Sequence, residues 1–221
     1  MSFLEELVKT MDSAGDKEII VVCDFDGTLT TSDSDVTMNG VAKYLGCDSD
    51  FAKERTALYD EYGKYLAETE DGDTRYKMLD KWWNAQMKLF KKYNIGPDTY
   101  MDACGKLNIT LRKDAVELLN FCEKKDIPVF VVSSGMGNMI IPILAFSGCL
   151  SMNMRVLSNF VRYDGDTPAS YTPVVTPVNK SSHLYLELED FDNYHAVVFG
   201  NSHDDLNILP EELCTTVMVQ D

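Results

Sequence analysis

Apolar residues along this chain follow two rhythms, and the change from one to the other divides it. The opening stretch MSFLEELVKTMD reads as an amphipathic helix. It leads into Ile19–Cys23, a short, uninterrupted, largely β-branched run suited to a strand buried on both faces of a parallel sheet. From Thr31 to Asn108 the spacing is helical. Val41, Tyr44 and Leu45 follow Ser and Asp capping residues, and Phe51, Ala52, Leu58, Tyr59, Tyr62 and Tyr65 mark a longer helix. A polar break at Thr69–Asp73 precedes TRYKMLDKWWNAQMKLFKKY, which Gly96-Pro97 ends, and PDTYMDACGKL makes one more helical piece.

Beyond Asn108 strand and helix alternate. LRKDAVELLNFCEKKD predicts a helix with Ala115, Leu118, Leu119 and Cys122 on one face, followed by a buried strand VFVV that ends in SSGMGN. A helix is expected from about Met139 to Phe146, then a strand MRVLSNFV, a turn-rich excursion around YDGDTPASYTP, and a helix in NKSSHLYLELED. HAVVFG and TTVMVQ read as the last two strands. Such alternation predicts an α/β fold with a doubly wound parallel sheet. The expected domains are a core of residues 1–30 and 109–221 and an all-helical insert of residues 31–108 after the first strand.

Composition narrows the function classes. With 221 residues, 45% apolar and 25% charged, the chain has the make-up of an ordinary globular protein with room for one substantial core and a small second domain. A formal charge of −16 argues against a nucleic-acid polymer or an anionic membrane as main partner, and leaves a small phosphate ester as a candidate. The six cysteines lack CxxC spacing, which disfavours zinc sites and disulfide frameworks. The N-terminus does not read as a signal peptide, and no apolar run has the length of a membrane span, so a cytoplasmic protein is expected. Oligomeric state stays open.

Chemistry gathers where the apolar runs end. Asp24 and Asp26 follow the first strand, at the carboxyl end where ligands of open α/β sheets bind, and residues two apart in extended chain point the same way. A divalent cation would remove the repulsion between the two carboxylates, and hard cations favour oxygen ligands. Ser133 closes VFVVS, with Gly135 and Gly137 after it, a combination suited to phosphate oxygens. Lys180 stands alone in PVNKSS, and Asn201, Asp204 and Asp205 follow the strand that ends at Gly200.

Taken in order, DFDGT, the strand-end Ser133, Lys180 and the acidic cluster of GNSHDDL resemble the four motifs of the haloacid-dehalogenase-like (HAD) phosphohydrolases. That resemblance implies a Rossmann-like core, with residues 31–108 as a C1-type cap, and hydrolysis of a phosphomonoester through an aspartyl-phosphate. PVFVVSSGMGN, VLSNFVRYDG, PVNKSS, GNSHDDL and MLDKWW are further similar to segments of the cytosolic pyrimidine 5'-nucleotidase (type III) family, which implies a nucleoside monophosphate as substrate.

The roles implied are these: Asp24 the nucleophile, Asp26 the general acid/base, Ser133, Ser134 and Gly135 the phosphate cradle, and Lys180 the charge clamp. Asp24, Asp26, Asn201 and Asp205 would hold Mg²⁺. In the cap, Glu68 corresponds to a substrate-contacting glutamate, and Trp82 and Trp83 to an aromatic that lies against the base. Adjacent tryptophans face different sides of a helix, so one is expected to stack and the other to pack inward. Two departures stand out, since Asn201 replaces the family's metal aspartate and DFDGT replaces DFDMT. The alternatives are a phosphatase of phosphoserine or a sugar phosphate, and a HAD-fold binding module that has lost turnover.

Overall fold

The computed structural model describes residues 2–68, 71–188 and 193–220, without the side chains of 64–68. Strand β1 (Glu18–Cys23) lies at the centre of a five-stranded parallel sheet of order β3-β2-β1-β6-β7, formed with β2 (Val129–Met136), β3 (Met154–Asn159), β6 (Tyr194–Gly200) and β7 (Cys214–Met218). Its side chains alternate as a strand requires. Val21 and Cys23 enter one cluster with Leu7 of α1 (Phe3–Ser13), Leu118 of α6 (Lys113–Lys125) and Ile140 of α7 (Gly137–Phe146). Ile20 and Val22 enter a second with Leu184 of α8 (Lys180–Tyr185) and Ile208. Both faces are therefore covered, which explains the unbroken apolar runs.

Between Thr31 and Asn108 all described elements are helical: a 3₁₀ turn at Thr37–Asn39, α2 (Gly40–Leu45), α3 (Asp50–Glu68), α4 (Gly72–Lys92) and α5 (Pro97–Cys104). Asp71 caps α4 by accepting from the Thr74 amide, which places the helix start inside the expected polar break. The segment leaves and rejoins the core at one place, where Thr31 N donates to Thr110 O at 2.9 Å and Arg112 Nε to Thr30 O at 3.1 Å.

One strand differs from expectation. MRVLSNFV divides at Phe160: β3 stops at Asn159, and β4 (Val161–Asp164) pairs antiparallel with β5 (Thr167–Tyr171) in a separate hairpin that turns at Gly165. The cause is the Asn159 side chain, which bonds the Ser134 and Val175 carbonyls and the Val175 amide and so takes the chain off the sheet edge. The turn-rich excursion is this hairpin. β2 also runs further than VFVV, through Ser133 and Ser134 to Met136, with a register irregularity on the way. Among the described residues no helix is long and apolar enough to cross a membrane.

Candidate active site

Asp24 follows β1 at the seam where β6 lies on one side and β2 on the other, the point at which strand order reverses. Its amide donates to Phe199 O of β6 at 3.1 Å. The next residues turn tightly over Phe25–Leu29, with Gly27 at φ +79°. A Cβ on Gly27 would also sit 2.3 Å from Asn201 Nδ2, so only glycine fits. The turn brings Asp26 under the start of the helical segment, where its carboxylate accepts from Thr37 N at 2.9 Å and Thr37 Oγ1 at 2.7 Å. Burial pushes the Asp26 carboxyl up to about 6 against those two bonds, which pull it down.

Lys180, at the start of α8, is 4% exposed, and its Nζ donates to Asp24 Oδ1 at 2.7 Å and Asp205 Oδ1 at 2.5 Å. Burial disfavours its charge, but the two carboxylates outweigh that, and its pKa lies above the ordinary lysine value. Burial raises the Asp24 carboxyl; Lys180 pulls it down and Asp205 pushes it up again. One ammonium thus serves two buried carboxylates, with Asp26 close by, and the site carries excess negative charge.

The third strand end closes the site. Gly135 has no room for a side chain, since a Cβ would lie 2.3 Å from Thr37 Oγ1 and 2.7 Å from Asp26 Oδ2. Ser133 Oγ accepts from Gly135 N at 3.1 Å, and Ser134 O accepts from both Asn159 Nδ2 and Trp83 Nε1 at 2.9 Å. A pocket of about 220 Å³ opens here, floored by Asp24, Asp26, Ser133 and Lys180 and walled from the helical side by Met38 and Trp83. Ser134, Gly135 and Asn201 also border it.

The surroundings of three predicted site residues are specific. Asp205, expected among the metal ligands, has one carboxylate oxygen on Lys180 and the other on Ser202 N and Oγ at 3.0 and 2.6 Å. Of the two tryptophans, Trp83 borders this pocket and Trp82 borders a different cavity. Glu68 ends α3, but its side chain lies outside the described residues.

The residues fit a divalent cation in a specific way. Among the described residues no group of three or more His, Cys, Asp and Glu gathers as a metal site. Asp24, Asp26 and Asn201 border one pocket, and Asn201 Nδ2 lies 3.4 Å from the Asp26 carbonyl oxygen, so carboxylate, carbonyl and amide groups are available to a cation there. Hard oxygen ligands and uncompensated negative charge suit Mg²⁺.

Sequence reading missed Thr37, Asn159 and Ser202. Thr37 sits in a polar stretch with no signal of its own. Asn159 lies within an apolar run, where a buried amide must find partners. Ser202 was the most accessible, because S-x-x-D before a short helix has the form of a capping box, and Ser202 with Asp205 makes one.

A profile of the pyrimidine 5'-nucleotidase (UMPH-1) family matches residues 23–210. The 7-methylguanosine phosphate-specific 5'-nucleotidase of Drosophila melanogaster is 22% identical over 218 residues, covering 93% of this chain and 68% of the relative. The crystal structure of cytosolic 5'-nucleotidase IIIB bound to cytidine superposes with a TM-score of 0.67 at 23% identity, covering 92% of this chain and 72% of that one. A phospho-aspartyl intermediate analogue of phosphoserine phosphatase shares the fold at a TM-score of 0.54 and 19% identity, over 87% and 82% of the two chains.

Proposed function

The chain belongs to the pyrimidine 5'-nucleotidase (UMPH-1) family, and from that premise we propose that it hydrolyses a 5'-nucleoside monophosphate, a pyrimidine one by the family's name, through a phosphorylated Asp24. The observation that carries this reading is the 2.7 Å contact of Lys180 with Asp24 on the floor of a pocket that Asp26 and Ser133 share. An Asp24 oxygen attacks phosphorus and the bond from phosphorus to the ribose 5'-oxygen breaks. Asp26 gives its proton to that leaving oxygen. In the second half Asp26 takes a proton from a water molecule, which attacks phosphorus and breaks the bond to Asp24, releasing phosphate.

A carboxyl with its pKa at about 6 suits both roles near neutral pH. Lys180, the Ser133 and Ser134 hydroxyls and the backbone beside Gly135 hold the phosphoryl oxygens. Bound through Asp24, the Asp26 carbonyl and Asn201, Mg²⁺ would supply further compensation for charge on the phosphoryl group. Residues 31–108 act as the cap, excluding water and choosing the leaving group.

Among the described residues, Trp83, Met38 and Val36 border the pocket from the helical side, and none of them is a cation. An aromatic and apolar wall favours a flat base over an acidic leaving group such as phosphoserine. Relatives named for 7-methylguanosine phosphate and for bound cytidine lend support to a nucleotide. A cytoplasmic setting goes with this reading, supported by a structural relative named as cytosolic. The test is phosphate release over a panel of nucleoside monophosphates, phosphoserine and glucose 6-phosphate with Mg²⁺. The nucleoside monophosphates should have the highest kcat/KM, and a preference for phosphoserine would contradict the assignment.

A further inference from the structure

Between α3 and α4 lies a second cavity, of about 340 Å³, lined by Asn39, Arg55, Thr56, Tyr59, Trp82 and Gln86. Consecutive residues on a helix diverge by about 100°, so Trp83 borders the phosphate pocket while Trp82 borders this one. Three polar atoms in its wall are buried without a hydrogen-bond partner: Arg55 Nε, Trp82 Nε1 and Gln86 Oε1. Gln86 is 2% exposed, so bulk solvent does not reach its carbonyl oxygen. Buried polar groups are nearly always paired, and three unpaired in one wall call for a ligand.

The kind of ligand follows from charge. No carboxylate pairs with Arg55 among the described residues, and burial is the cause that lowers its pKa, to about 10, with no charged group contributing. A guanidinium stays protonated at neutral pH and presents a planar fork that matches carboxylate and phosphate oxygens. Trp82 Nε1 adds a neutral donor, and Gln86 Oε1 asks for a donor from the ligand. We propose that this cavity is a binding site for a small anion, a carboxylate or phosphate bearing a hydroxyl, with Arg55 as its counter-charge. The site is separate from the phosphate pocket, but the Trp82 and Trp83 rings meet edge-on at 4.5 Å and Trp83 holds Ser134 O, so a ligand here lies two contacts from the phosphate loop.

The chain has two tryptophans, so Trp83→Phe leaves Trp82 as the only indole, inside the cavity. Its fluorescence is titrated with inorganic phosphate, with glycolate, with chloride at matched ionic strength, and with uncharged cytidine. Phosphate, glycolate or both should give a saturable change, and the arm that responds identifies the acid. Its apparent Kd should rise at least tenfold in Trp83→Phe/Arg55→Gln, and the anion should raise the thermal midpoint of the single variant but not of the double. If Arg55→Gln does not fold, Arg55→Lys, which keeps charge but not the fork, should still weaken binding severalfold. Absence of a saturable change, or an equal one without the Arg55 guanidinium, would overturn the proposal. A saturable change with cytidine alone would also overturn it, assigning the cavity to the substrate's base.

Discussion

Arg75 of α4 meets Asp204, in the helix α9 (His203–Leu206) that follows β6, with Nη2 to Oδ2 at 2.8 Å and Nη1 to Oδ1 at 3.4 Å. The pair joins the helical segment to the loop that bears Asn201. Both side chains are about one-third exposed, so solvent screens the pair and its contribution to stability is at most ~1 kcal/mol. Its effect should instead fall on closure of the segment over the pocket. For Arg75→Ala we expect KM for a nucleoside monophosphate to rise severalfold with the thermal midpoint nearly unchanged, and wild-type KM to rise with ionic strength more than the variant's. A fall in the thermal midpoint with KM unaltered would make the pair structural only.

Asp26 predicts a pH effect on stability. Its folded-state pKa is about 6, raised from 3.8 by burial, so the folded chain holds this proton more tightly than the unfolded one. The contribution to stability is therefore full below about pH 4 and is lost as pH rises through 6. In metal-free protein, Asp26→Asn should remove a downward slope on the order of 1 to 3 kcal/mol across that window. Urea unfolding at pH 4, 5, 6 and 7 measures it; parallel curves for wild type and variant would contradict the burial argument.

Trp83 has two roles that separate by substitution. Trp83→Phe keeps an aromatic wall but loses the bond to Ser134 O, and should lower kcat/KM about 3- to 10-fold on nucleotides and small phosphoesters alike. Trp83→Leu removes the ring as well, and on a nucleotide alone should lose a further ~1 to 3 kcal/mol of transition-state binding. Equal losses for the two variants on a nucleotide would remove the base-stacking role.

Asn201 lies beside the Asp26 carbonyl and against Gly27. A carboxylate there would face that carbonyl without the amide's donor, so Asn201→Asp should lower the thermal midpoint of metal-free protein. Added Mg²⁺ should restore it, and calorimetry should show Mg²⁺ bound severalfold more tightly than in wild type, because a charged oxygen replaces a neutral one. An unchanged Kd would place Asn201 outside the metal's ligands.

The sheet was legible because buried parallel strands are short apolar runs, and Asp24, Ser133 and Gly200 each interrupt one, although β2 continues past Ser133 to Met136. Phe160 shows the limit: MRVLSNFV is a continuous run, and its break comes from Asn159 bonding Ser134 and Val175, which no local pattern contains. The contact of Asp205 with Lys180 was hidden for a similar reason. A carboxylate four residues after Asn201 suits a metal or a lysine equally, and only the fold brings Lys180 to it. Helical phase predicted that Trp82 and Trp83 would part company, but not which would border the pocket at Asp24.

The central claim is that Asp24 carries the phosphoryl group. Rapid acid quenching of turnover with a ³²P-labelled nucleoside monophosphate and Mg²⁺, followed by peptide mapping, tests it directly. Label should be found on the peptide containing Asp24 in wild type, and should both form and decay more slowly in Asp26→Asn, where the proton for the leaving oxygen and the activation of water are both lost, with Asp24→Asn folded, unlabelled and inactive. Turnover by Asp24→Asn at more than a small fraction of the wild-type rate, or no protein-bound label in either of the other two, would contradict the account.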